Sequence, residues 1–249
     1  MIFTASNTSR LTKLALVLTL LLSCGARAGT PSPGAELFVR APGQSADDFA
    51  LSSGPADKDW LQRHNSNPDD AQLRTAEVAL YRDGPKAVAA FYYALITEEL
   101  GSYQHVRAYL YVPEESDPSR YRRVFLRNIE PDGGSPVVEQ VFLMGAAGQT
   151  PQTLGITASW NQRHYDNSGI VYDTYLFDYT PAAVRQGKLS SVERFRDKFW
   201  GCECTHGFRT GNETVTHAKF ILPGSVHHYL RAKKYPNVKP IVSVDVPKP

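Results

Sequence analysis

From residue 106 onward, apolar and polar positions alternate with the two-residue period of a half-buried strand. Val106, Ala108, Leu110 and Val112 fall on one face of the first segment, and Tyr109 and Tyr111 on the other. Arg122 to Ile129 and Val137 to Met144 are rich in β-branched and aromatic residues. Between them stands Glu130-Pro131-Asp132-Gly133-Gly134, which reads as a hairpin turn. Thr153 to Trp160 and Ile170 to Tyr179 repeat the pattern around an Asn167-Ser168-Gly169 turn. Phe208 to Leu222 reads as strand broken at Gly211-Asn212, and Ile241 to Val246 is the apolar stretch of a Pro-punctuated tail. Short strands at near-regular spacing predict a meander of antiparallel strands.

The N-terminal part has a different pattern. Residues 29–58 are rich in Pro, Gly, Ser and Ala and read as a mobile arm, with Leu37-Phe38-Val39 as a short sticky segment. Asp57 to Arg63 suits one helical turn around Trp60. Pro68-Asp69-Asp70 offers a helix start, and Ala71 to Tyr81 continues that helix through Leu73, Val78 and Leu80 until Asp83-Gly84-Pro85 ends it. Phe91 to Ile96 fits either the opening of a strand or the close of a helix begun at Pro85. Ser190 to Trp200 has a helical pattern. The expected fold is α+β and predominantly antiparallel β: a small barrel or a strongly curved sheet, with a helical N-terminal part.

The first 28 residues change the picture of where this protein works. Arg10 and Lys13 precede an apolar run, Leu14 to Leu22, of nine residues. That is short of the roughly 20 that span a bilayer. A basic start, a short apolar core and a small-residue exit make a secretory signal. Ala26-Arg27-Ala28 fits ordinary cleavage before Gly29, whereas Leu21-Leu22-Ser23-Cys24 resembles a lipobox that leaves a lipidated Cys24. The expectation is export: periplasmic, outer-membrane lipoprotein or secreted, with a lipid on Cys24 as the one membrane attachment considered. The division expected is a signal over 1–28, an arm over 29–58 and a single domain over 59–249. Three of the 27 basic residues, Arg10, Lys13 and Arg27, lie in the signal, leaving 24 against 25 acidic ones. So balanced a charge argues against a nucleic-acid partner, which selects a basic face.

Three groups of residues have the types that perform chemistry. In the run from Trp160 to Asp166, Arg163 offers a planar fork for a carboxylate or phosphate. His164 titrates near neutral pH, Asp166 can orient it, and Tyr165 adds a hydroxyl. The competing reading is a solvated hairpin loop. In Trp200-Gly201-Cys202-Glu203-Cys204-Thr205-His206, Cys202, Cys204 and His206 could hold a soft metal, although one intervening residue is short of the usual zinc spacing. A bond between those two cysteines would close a very small ring, unlike an ordinary structural staple. His227-His228 is the third group. No nucleophile elbow, HExxH, P-loop or dinucleotide fingerprint is present, and no cofactor is expected.

Tyr109-Leu110-Tyr111-Val112, Tyr121-Arg122-Arg123-Val124-Phe125 and Val138-Glu139-Gln140-Val141-Phe142, in that order, resemble the strand motifs of the CpcT/CpeT chromophore lyase family. Tyr179-Thr180-Pro181-Ala182 and Gly201-Cys202 are similar to later motifs of the same family. In this chain Val112 is followed by Pro113, so the acid of the first motif is displaced to Glu114. The resemblance implies a calycin-like antiparallel barrel cradling a linear tetrapyrrole or another small apolar ligand, with Tyr121, Arg122 and Glu139 facing the cavity. Because function resides in sites rather than folds, lyase activity is not carried across. The leading expectation is an exported small-ligand-binding protein of calycin type. The alternatives are a cofactor-independent hydrolase or lyase using His164, Arg163 and Tyr165, and a metal-handling protein using Cys202, Cys204 and His206.

Overall fold

Period-two alternation dictates strands with two distinct faces, and two stacked sheets bury the inward faces of their central strands against each other. The computed structural model describes residues 36–54, 72–80, 85–98, 101–145, 153–192, 198–207, 209–232 and 239–248. The signal at 1–28, with Cys24, and the turn around Trp60 lie outside them. The first sheet contains β1 (Leu37–Val39), β2 (Gln72–Ala79), β3 (Lys86–Glu98), β4 (Gly101–Pro113) and β5 (Arg120–Ile129), in the order β1-β5-β4-β3-β2. The second contains β6 (Pro136–Gly145), β7 (Thr153–His164), β8 (Asn167–Asp178), β10 (Gly201–His206), β11 (Thr214–Thr216) and β12 (Lys239–Asp245), in the order β11-β10-β8-β7-β6-β12. The two-residue β9 (Ser190–Ser191) also pairs with β8. All strand pairings are antiparallel.

One apolar cluster joins Phe91, Tyr93, Leu110 and Val124 of the first sheet to Val141, Leu154, Ile156 and Phe177 of the second. The sheets therefore face each other, and the space between them is filled by side chains. Small residues at Ala76, Ala87, Ala89, Ala108 and Ala158 let the layers approach closely. Hydrogen-bonded ladders do not run round into a closed barrel. The two sheets meet at seams: β2 lies beside β12, and the Phe125 N–H donates to the Gly187 carbonyl at 3.0 Å. Inside, the β6 ladder skips Glu139, and the Val138 N–H donates instead to the Tyr93 hydroxyl at 3.0 Å. Burial pushes the Tyr93 phenol up to about 12, so it stays protonated.

The outer faces are covered too. The helix α1 (Ala46–Ser52) is capped by Ser45, whose hydroxyl accepts from the Asp48 N–H at 3.0 Å. It buries Phe49 and Ala50 against Val88, Tyr92, Tyr109, Tyr111 and Tyr121. The short helix α2 (Pro181–Gln186) leads to the seam beside β5. The helix α3 (Pro223–Ala232) lays Val226 and Leu230 on Phe142, Met144 and Leu176 of the second sheet. No helix among the described residues is long and apolar enough to cross a membrane.

Several expectations are corrected. Residues 72–79 form β2, not a helix, because Ala76, Val78 and Leu80 enter the core at every second position and the whole segment pairs with β3. Phe91 to Ile96 is strand. The Glu130–Gly134 turn is not a hairpin: it carries the chain from one sheet to the other, since β5 pairs with β1 and β4, and β6 with β7 and β12. The true hairpin turn is Tyr165-Asp166, and Asn167, Ser168 and Gly169 already belong to β8. Ser190 to Trp200 is not a helix among its described residues; the Val192 N–H donates to the Leu176 carbonyl at 2.9 Å, which ties the segment to β8. Residues 36–54, read as part of a mobile arm, are docked on the first sheet through β1 and α1.

The ion pair of Arg40 with Glu77, at 2.7 Å, lies beside the Phe49 ring. Burial alone would raise the Glu77 carboxyl, but Arg40 and then Lys86 hold it below its ordinary value of 4.5. A depressed carboxyl contributes stability that is present above its unfolded value and lost as pH falls through the folded one. Glu77→Gln is therefore expected to be less stable than the wild type by under about 1 kcal/mol at neutral pH. Below pH 4.5 the two should converge, as thermal unfolding across that window would read. A constant gap down to full protonation would refute the pairing.

Candidate functional site

Strand alternation places residues 202, 204 and 206 of β10 on one face. In the ladder they stand opposite Val171, Gly169 and Asn167 of β8. That face turns inward: Cys204 is 1 % exposed in the core between the sheets, and Cys202 packs against the same cluster. His206 ends the row at the rim. Cys202 and Cys204 are joined as a disulfide, with their Cα atoms 5.2 Å apart.

A cleft of about 560 Å³ opens beside this row. One wall is Asp132 and Gln162, whose side-chain amide donates to the Asp132 carbonyl. The other is Trp200, His217, Lys219 and Phe220. Glu203, on the alternate face of β10, holds that second wall: its carboxylate accepts from the Ala218 N–H at 2.7 Å and meets His217 Nδ1 at 2.9 Å. The His217 hydrogen bond keeps the Glu203 carboxyl below its ordinary value. His206 Nε2 lies 3.2 Å from the Thr216 hydroxyl. Trp200, a large apolar residue lining the cleft, is 56 % exposed.

A second, more polar cleft of about 310 Å³ shares Asp132 and Trp200 with the first and adds Arg127, Asn128, Asp173 and Tyr175. The Arg127 guanidinium stacks 3.4 Å above the Tyr175 ring. Burial, then Asp173, raises the Tyr175 phenol, which remains a donor at neutral pH. Trp160, buried beneath, donates through Nε1 to the Glu130 carbonyl at 2.9 Å and fixes the inter-sheet turn. Asn167 Oδ1, in the first cleft, and Asn128 Oδ1, in the second, are buried and accept no hydrogen bond from the described residues.

The residues singled out in the sequence distribute unevenly. Arg163 and Tyr165 sit exposed at the tip of the β7–β8 hairpin, where Arg209 stacks 4.0 Å from the Tyr165 ring. Asp166 is engaged as a backbone anchor: its Oδ1 accepts from the Arg209 N–H at 2.9 Å, and its carbonyl from the Gly207 N–H at 3.0 Å. The side chain of His164 lies outside the described residues, as does that of His227. Among the described side chains the tip forms no acid–base pair. Cys202, Cys204 and His206 share one face, but the described residues contain no group of three or more His, Cys, Asp or Glu poised around a metal ion.

The three residues expected to face a barrel cavity are not brought together. Tyr121 is on the outer face of the first sheet, 4.9 Å from the Phe49 ring beneath α1. Arg122, its neighbour and hence on the opposite face, pairs with Glu114 at the strand end. Glu139 bulges from β6, accepts from the Ser159 hydroxyl at 2.6 Å and pairs with Lys248 at 3.5 Å. Trp200, Lys219 and Phe220, which line the cleft, are not among the candidate residues above; the pattern predicts a helix through Trp200 and a strand through Lys219 and Phe220, and all three lie in irregular segments. No family model, no curated protein and no solved structure matches this chain.

Proposed function

We propose that this chain is an exported protein that binds one small ligand in the cleft beside β10, at the end of the sandwich rather than in a central barrel cavity. The observation that carries the reading is the joining, in one concave site, of an exposed tryptophan, a lysine and polar side chains from both walls. About 560 Å³ is within the range of small-molecule sites. Trp200 supplies a flat stacking surface. Lys219 suits an acidic edge, and Asp132 on the opposite wall suits a donor on the ligand. A flat conjugated molecule bearing carboxylates and N–H groups has that chemistry; a linear tetrapyrrole is one such molecule.

Export rests on the basic, apolar and small-residue order of the first 28 residues. The hydrolase or lyase reading draws no support from the exposed hairpin tip, and the metal reading none from the bonded cysteines. The test is titration of the protein with biliverdin, and with a fatty acid as an aliphatic comparison, followed by tryptophan fluorescence. Saturable quenching by the conjugated acid is expected, with Trp200→Ala weakening affinity roughly tenfold or more. No saturable binding by either probe, or binding unchanged in Trp200→Ala, would remove this site from consideration.

A further inference from the structure

The Cys202–Cys204 bond adds little to the fold. A ring closed across a single intervening residue restricts the unfolded chain far less than a long loop does. The two cysteines already lie in a strand held by ladders to β8 and β11. Two residues apart on an extended strand, Cα atoms stand about 6.6 Å apart. Here they stand 5.2 Å apart, so the bonded β10 is drawn in along its length.

The two cysteines also differ in access. Cys202 is half-buried and lines the cleft; Cys204 is 1 % exposed in the core. Room for the inner cysteine is left by Gly169 directly opposite. A methyl there would stand 2.6 Å from Cys204 Cα and 2.9 Å from its Sγ.

We propose that Cys202 and Cys204 are an exchangeable redox pair in the cleft wall, reduced and reoxidised by small acidic thiols and their disulfides that enter the cleft. The thiolate of the entering molecule attacks Cys202 Sγ, the sulfur of the cysteine that lines the cleft. A new S–S bond forms there, the Cys202–Cys204 bond breaks, and its electron pair leaves on Cys204 Sγ, which takes up a proton. A second small thiolate attacks the external sulfur of this mixed disulfide and releases Cys202, which is protonated in turn. Two thiols are thereby oxidised to one external disulfide while the protein pair gains two electrons and two protons. The reverse sequence uses the external disulfide as oxidant. The Lys219 ammonium favours a carboxylate-bearing thiol over a neutral one. The reduced pair frees β10 to lengthen, which moves His206 at the cleft rim and couples redox state to the shape of the site. The inference shares the cleft with the binding reading but does not require that ligand.

The test treats the folded full chain with millimolar reduced glutathione, alkylates free thiols, and maps the peptide carrying both cysteines by mass spectrometry. Circular dichroism reads the fold in parallel. Expected is alkylation of both cysteines with the fold intact. With oxidised glutathione, Cys204→Ser should gain one glutathionyl group on Cys202, and Cys202→Ser should react roughly tenfold more slowly, or only after denaturation. A pair that resists glutathione until denaturant is added, a fold lost on reduction, or equal labelling of the two variants would each overturn the proposal. Because the wild-type measurement stands without the variants, a variant that fails to fold leaves it decided. Repeating the biliverdin titration on oxidised and reduced protein separates the two readings. Binding without thiol exchange sinks this inference alone, and exchange without binding sinks only the ligand proposal.

Discussion

Phe49→Ala is expected to cost about 3–5 kcal/mol, the range for removing a fully buried aromatic side chain. The seven residues of α1 are too few to be helical alone, so the helix exists because of what it docks on. Phe49 is 0 % exposed, edge-on to Tyr111 at 5.2 Å and tilted on Tyr121 at 4.9 Å. The Tyr92 hydroxyl donates to the Ala50 carbonyl at 2.7 Å and lies 3.0 Å from the Tyr111 hydroxyl. Arg123 closes the far end with hydrogen bonds to the Ser53 and Gly54 carbonyls. Truncating the ring removes the apolar contact that keeps those polar groups dry, and the helix should lift as a unit. A fall in Tm of roughly 10 °C should accompany it. Limited proteolysis should then cut within residues 46–54. Thiol exchange at Cys202 should persist, since that site is on the other sheet. A loss under about 1 kcal/mol would mean that α1 is not seated as described.

How far the sequence announces this architecture depends on the span over which each pattern repeats. Val106 to Val112 is the clearest case. Its two faces were separable by alternation alone, and Ala108 and Leu110 do enter the inter-sheet core while Tyr109 and Tyr111 meet α1 on the outside. Residues 72–79 show the opposite. Ala, Leu, Arg and Glu there favour a helix locally, but thirteen residues of β3 offer a ladder along the whole segment, and pairing outweighs propensity. The Pro-Asp-Gly-Gly turn after Ile129 signals a reversal, yet nothing local tells whether the flanking strands will pair edge to edge or stack face to face. That choice follows from which edges are already occupied. The helix α3 left a faint trace, Pro223 at its start with Val226 and Leu230 four residues apart, too short a run to stand out. The cleft divides the same way. Cys202, Cys204 and His206 share a face by simple alternation. The opposing Trp200, Lys219 and Phe220, expected in a helix and a strand, lie in irregular segments whose side-chain directions only tertiary packing sets. The resemblance-based trio is dispersed for the reason that makes strands legible: adjacent residues such as Tyr121 and Arg122 point to opposite faces.

Gly169→Ala should damage stability and site together, because the obstacle it meets is backbone. Gly169 sits on β8 between Gln162 of β7 and Cys204 of β10. An added methyl would overlap the Glu203 carbonyl oxygen and come within 2.6 Å of Cys204 Cα. Neither atom belongs to a flexible side chain that can swing aside, so β10 must move as a strand. Overpacking of this kind costs about 2–3 kcal/mol, and Tm should fall by roughly 5–10 °C. The displacement carries Cys202 and His206 with it. It also shifts Glu203, whose carboxylate holds residues 217 and 218 in the opposing wall. Ligand binding and the selectivity of glutathione for Cys202 should therefore both be lost well below the unfolding temperature. Gly211→Ala is the control. No atom lies within 4 Å of a methyl there, and its φ of +74° imposes only backbone strain, about 1–2 kcal/mol, far from the cysteines. That variant should keep both properties despite a lower Tm. A Gly169→Ala protein with wild-type melting and wild-type cysteine reactivity would mean that β8 and β10 do not pair in this register, and the cleft beside β10 would not be built as described.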